Sequence, residues 1–351
     1  MPADELTLWQ RWLRRPQGVW LRRALFQIHL WTGIGTGLYV LLISVTGSAI
    51  VFRNEIYQKA GAGAKTVQVR GPKLPAEELK RIVREKYPQN TLSFVFEGKQ
   101  PTTATEVWME HGKERVQRLF DPYTGADLGD SVPQAIRVAA WLAKLHTDLL
   151  YGDTGRKVNG IGAIFLTLLC LTGAIVWWPG VKSWRRSLLV DVRSNWKRLN
   201  WDLHSALGFW SFALIFMWAV TGVYLAFPLP FQKIINHYSP LIQYALPEEA
   251  SIAAPTASVL AQPSQPKSFN SGKGGRRPPI RRSAGDNFIR WIYYLHFGNF
   301  AGPKTKTLWV VLGLLPVVLF VTGAIMWWNR VLSPAARRAR QAERSTAVAA
   351  A

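Results

Sequence analysis

Four apolar stretches, at residues 24–52, 158–178, 203–227 and 308–328, constrain this 351-residue chain more than any other feature. A helix needs about 20 mostly apolar residues to cross the hydrocarbon core of a bilayer, and each stretch reaches that length with almost no charge. A single stretch would be compatible with a buried helix of a soluble protein. Four, with basic flanks and aromatic ends, read as membrane spans. Trp177–Trp178 and Trp327–Trp328 read as interfacial anchors, because indole favours the headgroup region. The first stretch is too long for the apolar core of a signal peptide and lacks a small-residue cleavage site, so it is expected to be a permanent span.

The net charge of +22 would by itself suggest nucleic acid, but its placement argues against that partner. Arg11, Arg14, Arg15, Arg22 and Arg23 precede the first span. Lys182, Arg185, Arg186, Arg193, Lys197 and Arg198 lie between the second and third, and Arg330, Arg337, Arg338, Arg340 and Arg344 follow the fourth. The positive-inside rule then puts both termini and the middle loop in the cytoplasm and the two long loops outside. Arg276, Arg277, Arg281 and Arg282 fall in the second outer loop, which does not overturn the assignment because long loops translocate largely regardless of charge. The lone Cys170 sits inside a span, so there is no disulfide framework, zinc-type cysteine pair or Cys-x-x-Cys-His attachment. Any haem is expected to be held non-covalently.

The chain repeats itself. His29-Leu-Trp-Thr-Gly33 leads to Thr46-Gly47 in the first span, and His204-Ser-Ala-Leu-Gly208 leads to Thr221-Gly222 in the third. The His-to-Thr spacing is the same, 46 − 29 = 17 and 221 − 204 = 17. Trp141-Leu-Ala-Lys-Leu-His146 and Trp291-Ile-Tyr-Tyr-Leu-His296 precede the second and fourth spans, each followed by Thr-Gly-Ala-Ile at a matching distance, 172 − 146 = 26 and 322 − 296 = 26. Arg156 and Lys306 each lie ten residues past their histidine. Two copies of a two-span unit, related by a pseudo-twofold axis along the membrane normal, are expected. The fold class is therefore an all-α membrane protein, with four transmembrane helices in two pseudo-symmetric repeats and a small α+β outer domain.

That outer domain is expected between the first two spans. Residues 75–86 carry a helical apolar face at Leu79, Ile82 and Val83. Short apolar runs follow at 92–96, 106–109 and 116–120, closed by a turn at Asp121-Pro-Tyr-Thr-Gly125. The loop at 253–285, rich in Pro, Ser, Gly and Arg, is expected to be disordered. The whole divides into a basic N-terminus (1–23), first span (24–53), outer domain (54–140), outer-side helix with second span (141–179) and basic loop (180–200). The third span (201–228), second outer loop (229–290), outer-side helix with fourth span (291–329) and tail (330–351) complete it.

A metal-binding side chain in or beside a span is a functional hypothesis by default. One such histidine is as readily a helix-to-helix hydrogen-bonding residue, but four at repeat-matched positions point to ligands. His29 and His204 fall near the cytoplasmic starts of their spans, and His146 and His296 near the outer face. Each couple is read as two axial imidazoles on one haem iron, giving two b-type haems per chain. Gly33 and Gly208, one turn beyond His29 and His204, would let a flat porphyrin approach the backbone; close helix packing explains them equally well. Arg156 and Lys306 are candidates for neutralising haem propionates outside, and Arg22 and Arg23 inside, although snorkelling is the commoner role. The Thr-Gly pairs are read as tight helix packing. A single non-haem metal or zinc site would need converging ligands, and a proton relay would want carboxylates within the spans. His111 and His237 have no repeat partner and are read as exposed.

With its His29…Thr46-Gly47 span, its Leu145-His146…Thr172-Gly-Ala-Ile175 segment and their second copies, the chain resembles the PepSY-associated transmembrane helix family. These are iron-regulated inner-membrane proteins that include bacterial ferric-siderophore reductases. The Asp121–Gly125 turn is similar to the end of a PepSY domain. The resemblance covers nearly the whole chain and implies a four-span, two-haem protein of the bacterial inner membrane that carries electrons outward to a ferric siderophore in the periplasm. Larger relatives have a second folded outer domain, and the loop at 253–285 departs from that pattern. A quinol or a cytoplasmic reductase is the expected donor, since no nucleotide-binding glycine signature is present. The rival expectations are a haem-containing redox partner of another complex and a haem-free membrane sensor.

Overall fold

The computed structural model describes residues 7–63, 66–98, 100–112, 114–241 and 283–334. Most of the segment at 253–285, with Arg276, Arg277, Arg281 and Arg282, lies outside the described residues, as do Arg337, Arg338, Arg340 and Arg344 of the tail. The chain divides into two compact units, residues 52–143 and the remainder.

In chain order the elements begin with a short helix α1 (Leu8–Arg14) and the long α2 (Trp20–Ala49), followed by α3 (Arg53–Gly63) and α4 (Ala76–Lys86). Four strands come next: β1 (Thr91–Phe96), β2 (Thr105–His111), β3 (Glu114–Phe120) and β4 (Asp127–Asp130). Then come α5 (Gln134–Asp148), α6 (Gly152–Trp177), α7 (Trp196–Ala226), α8 (Pro228–Tyr238), α9 (Ala284–Phe297), α10 (Pro303–Gly313) and α11 (Leu315–Trp327).

Four helical stretches are long and apolar enough to cross a membrane: Trp20–Ala49, Gly152–Trp177, Trp196–Ala226 and Pro303–Leu332. Their packing is inverted relative to a soluble bundle. Small residues such as Gly37, Gly160, Gly162, Ala206 and Ala219 are buried, while Leu38, Val158, Leu168 and Val321 are exposed. Small residues allow close helix approach where lipid supplies no hydrophobic contrast. Thus Gly37 accepts the ring of Phe320 and Gly162 accepts that of Tyr39, each where a Cβ would collide. α2 packs on α6 and on α10–α11, and α7 packs on α6 and α11, so α2 and α7 face each other across the bundle.

The fourth span differs from the single helix expected. It breaks at Leu314 between α10 and α11 and ends in a π-helical turn, Trp328–Leu332. Pro316 is the cause: it has no N–H to give the carbonyl of Leu312, and its ring would clash there. Beside the break, Gly313 fits directly against Ser48 of α2.

The smaller unit holds the predicted α+β domain. Its sheet is an antiparallel meander in the order β1-β2-β3-β4. β2 alternates: Thr105, Val107 and Met109 are buried, and the residues between them face the other side. Val107, Met109 and Phe120 pack with Leu79 and Val83 of α4 to form the core. The turn at Asp121–Gly125 forms as expected, with the Tyr123 amide donating to Asp121 Oδ1 at 2.8 Å and Gly125 at φ +71°.

β4 was not expected, because Asp-Leu-Gly-Asp has poor strand propensity. It is anchored through a charge instead. The Asp127 carboxylate, 2% exposed, accepts from Arg118 at 2.8 Å, from Tyr87 and from the Gly129 amide, with Lys86 at 3.3 Å. Burial pushes this carboxyl up, but the bonds from Arg118, Tyr87, Gly129 and Lys86 together hold it well below the usual carboxylate range.

Candidate functional site

The four repeat-matched histidines come together as two pairs. The rings of His29 on α2 and His204 on α7 have centroids 6.5 Å apart with an interplanar angle of 79°. The rings of His146 on α5 and His296 on α9 are also 6.5 Å apart, at 53°. Neither pair is stacked. Two imidazoles sharing one metal ion through opposed nitrogens need about 6.2 Å, from two bonds of about 2 Å and about 1.1 Å from each nitrogen to its ring centre. The spacing in both pairs suits that arrangement.

The neighbour at each Nδ1 is a threonine of the repeat. Thr172 Oγ1 lies 3.2 Å from His29 Nδ1, and Thr322 Oγ1 lies 2.9 Å from His204 Nδ1. Thr46 Oγ1 lies 3.2 Å from His146 Nδ1, and Thr221 Oγ1 lies 2.8 Å from His296 Nδ1. All four threonines are buried. Each hydroxyl also donates to the carbonyl four residues back on its own helix: Thr46 to Leu42 at 2.7 Å, Thr172 to Leu168 at 2.8 Å, Thr221 to Met217 at 2.7 Å and Thr322 to Val318 at 2.8 Å.

A hydroxyl has one proton, and that proton is already committed. Each threonine therefore accepts at its histidine, and each Nδ1 donates. The backbone carbonyls of Leu169 and Ile43 reinforce this at His29 and His146, at 3.2 and 3.1 Å. With Nδ1 protonated, the lone pair of the neutral ring resides on Nε2, the arrangement in which metal-bound histidines are oriented by a second partner. The glycines after three of these threonines seat the rings. A Cβ on Gly47 would come within 2.8 Å of His146 Cε1, on Gly173 within 3.0 Å of His29 Cε1, and on Gly323 within 3.3 Å of His204 Cε1. The Thr-Gly pairs do serve packing, and three of the four glycines pack an imidazole, while Gly222 meets Ala163.

α5 and α9, which carry His146 and His296, are held at their ends by different devices. Asn159 Nδ2 donates to the carbonyls of His146 and Thr147 at 2.7 and 3.1 Å, while Tyr39 donates to Asn159 Oδ1 at 2.8 Å. The turn into α6 runs through Leu149 and Leu150 at φ +51° and +62°, a conformation costly for side chains of that kind. α9 stops at Gly298 in the left-handed region, and Trp309 Nε1 donates to the Leu295 carbonyl at 2.9 Å.

The remaining predicted residues are placed as follows. A Cβ on Gly33 would meet Leu169 at 3.7 Å, and one on Gly208 would meet Leu319 at 3.9 Å, both ordinary contacts. Protein packing therefore does not require glycine at either position. Arg156 is exposed and paired with Asp153 at 2.8 Å, and Lys306 is half-buried on α10. Arg22 donates through Nη2 to the Val176 carbonyl at 2.7 Å, while its Nε is buried without a partner. The indole N–H groups of Trp177, Trp178 and Trp327 are buried and unpartnered as well. These donors sit at the ends of α2, α6 and α11 nearest His29 and His204, and they suit an acceptor-rich, anionic group. His111 is exposed, with Nδ1 at 3.2 Å from the Gln89 carbonyl, and His237 is exposed on α8.

Among the described residues no three or more His, Cys, Asp or Glu side chains converge as a metal cluster. The protein donors come in twos, which suits a metal whose other positions are filled by a macrocycle.

A family model described as PepSY-associated TM region matches residues 26–330. No curated protein matches the chain.

Proposed function

The chain belongs to the PepSY-associated TM region family and is a multi-pass membrane protein, and from that premise we propose that it is a two-haem electron carrier of the bacterial inner membrane. The observation that carries this reading is the pair of facing imidazole couples, each 6.5 Å between ring centres with Nδ1 turned away to a threonine. His29 and His204 would hold one b-type haem, and His146 and His296 the other. A haem held in this way would supply a one-electron ferric/ferrous couple at each site.

The residues around the pairs have roles consistent with that use. The helices bring two imidazoles to each centre. Gly33 and Gly208, which their own packing leaves undemanding, leave room along α2 and α7 for a flat ring. Arg22, with the unpartnered indoles of Trp177, Trp178 and Trp327, provides donors for propionates at the His29–His204 centre. The matched spacings in sequence and the four matched His–Thr contacts support two pseudo-symmetric halves, and the basic flanks of the spans support an α+β domain in the periplasm and both termini in the cytoplasm.

The direction and the acceptor are read from the family resemblance. Electrons would enter at His29–His204 from a quinol or a cytoplasmic reductase and leave at His146–His296. There they would reduce Fe(III) of a periplasmic siderophore to Fe(II), one electron per iron, giving a product that is a poorer match for hard oxygen chelators. The test is the absorption spectrum of detergent-purified protein, oxidised and dithionite-reduced, with a haem-to-protein ratio. A sharp b-type α-band with about two haems per chain is expected. A colourless protein after haem-supplemented expression would sink the reading. Ferric-siderophore added to the reduced protein should reoxidise it without a further component.

A further inference from the structure

We infer that Thr46, Thr172, Thr221 and Thr322 are positioning residues that fix the histidine tautomer and so set the donor strength of the axial ligands at each centre. The inference rests on the two-haem reading for its redox consequence, but its structural half stands on hydrogen-bond accounting alone.

A histidine that binds through Nε2 must carry its proton on Nδ1, and in a membrane interior that N–H needs an acceptor or its desolvation goes uncompensated. Each threonine supplies one, and the i−4 carbonyl that takes the hydroxyl proton prevents it from acting as donor instead. An asparagine or water there could turn round and donate, which would allow the other tautomer; a threonine with its proton spent cannot. An acceptor at Nδ1–H also raises the basicity of the ring, which favours ferric over ferrous iron.

The wiring is crossed. α2 and α7 carry the ligands His29 and His204 of one centre, and their threonines, Thr46 and Thr221, lock the ligands of the other. Thr172 on α6 and Thr322 on α11 lock His29 and His204. Each threonine should therefore influence one centre and not the other. Thr221 should have the largest effect, because its 2.8 Å contact is the shortest and because backbone carbonyls share the donor at His29 and His146.

The experiment uses full-length protein carrying Thr221→Val, Thr221→Ser or Thr172→Val. Valine keeps the shape and removes the acceptor, while serine keeps the acceptor. Redox titration should show Thr221→Val raising the midpoint potential of one haem, Thr172→Val raising that of the other, and Thr221→Ser staying at the wild-type values. Unchanged potentials in the valine variants, or a serine variant that shifts like valine, would overturn the inference while leaving the haems in place. Nitrogen NMR of haem-free protein with 15N-labelled histidine separates the two readings. His29, His146, His204 and His296 should each be protonated at Nδ1 in the wild type, and His296 should lose that signature in Thr221→Val. Protonation at Nε2 of any of these four in the wild type would overturn the tautomer lock whether or not the protein binds haem.

Discussion

Thr46 Oγ1 lies 3.2 Å from His146 Nδ1 although the two residues are 100 positions apart in sequence. The contact joins the last turns of the first span to a helix that follows an intervening domain. Its counterpart in the second half, Thr221 with His296 at 2.8 Å, joins the third span to α9. A ligand on one element is thus oriented by a hydroxyl on another, and the consequences can be measured.

His29→Ala should remove about half of the bound haem, and His204→Ala should remove the same half, since two axial imidazoles act as one site. The double variant should lose no more than either single one. Adding His146→Ala should take away what remains. Haem-to-protein ratios of the purified variants check this, and additive losses from His29→Ala and His204→Ala would refute the pairing.

Gly33→Ala and Gly37→Ala should behave oppositely. At Gly37 a Cβ collides with the Phe320 ring, whereas at Gly33 it meets Leu169 at an ordinary 3.7 Å. Gly37→Ala should destabilise the bundle by about 1–3 kcal/mol, the usual range for overpacking. Gly33→Ala should leave the haem-free melting temperature unchanged and reduce haem occupancy. Thermal melts with and without haem distinguish the two.

Asn159→Ala should loosen the end of α5. It removes two bonds to the carbonyls of His146 and Thr147, at 2.7 and 3.1 Å, worth about 1–2 kcal/mol together. Hydrogen exchange should rise in α5, and the spectrum of the His146–His296 centre should broaden while that of His29–His204 is kept.

Acid should release β4 before the spans. The Asp127 carboxyl is held below its unfolded value, so its contribution is full above an unfolded pKa of about 3.9 and disappears as pH falls from there through the lower folded value. Asp127→Ala leaves Arg118 with one fewer carboxylate and should cost about 3 kcal/mol at neutral pH, the scale for breaking a buried pair. Hydrogen exchange of β3 and β4, corrected for intrinsic rates, should show the loss in the variant at pH 7 and in the wild type only in acid. Equal protection in both at pH 7 would rule out this anchor.

The four spans and the four histidines were legible because length, hydropathy and spacing are properties of the line of residues. The 17- and 26-residue intervals mark the threonines as part of the repeat, but each interval joins a histidine to a threonine it does not contact, and the same Thr-Gly pairs also read as helix packing. Only the distances of 2.8–3.2 Å separate packing against a neighbour from orienting a ring. The signal that could have found them was the recurrence of threonine itself, since packing alone would accept Ala or Ser. The break at Leu314 was hidden by hydropathy, which stays high across Pro316 and does not register a missing N–H. β4 was hidden for the opposite reason: what holds Asp127 is charge rather than an apolar pattern.

The 17 residues from His29 to Thr46 run along one helix, α2. At 1.5 Å per residue they rise about 25 Å, close to the roughly 30 Å of hydrocarbon in a bilayer. The two histidine pairs are fixed at the ends of that rod. An electron passed from one to the other therefore falls through most of the membrane voltage, worth about 2.3 kcal/mol for each 100 mV. With the cell interior negative, outward transfer is driven by the field and inward transfer is opposed. Under the proposed function turnover would be an electrical current, and collapsing the voltage with an ionophore should slow it even when donor and acceptor are unchanged.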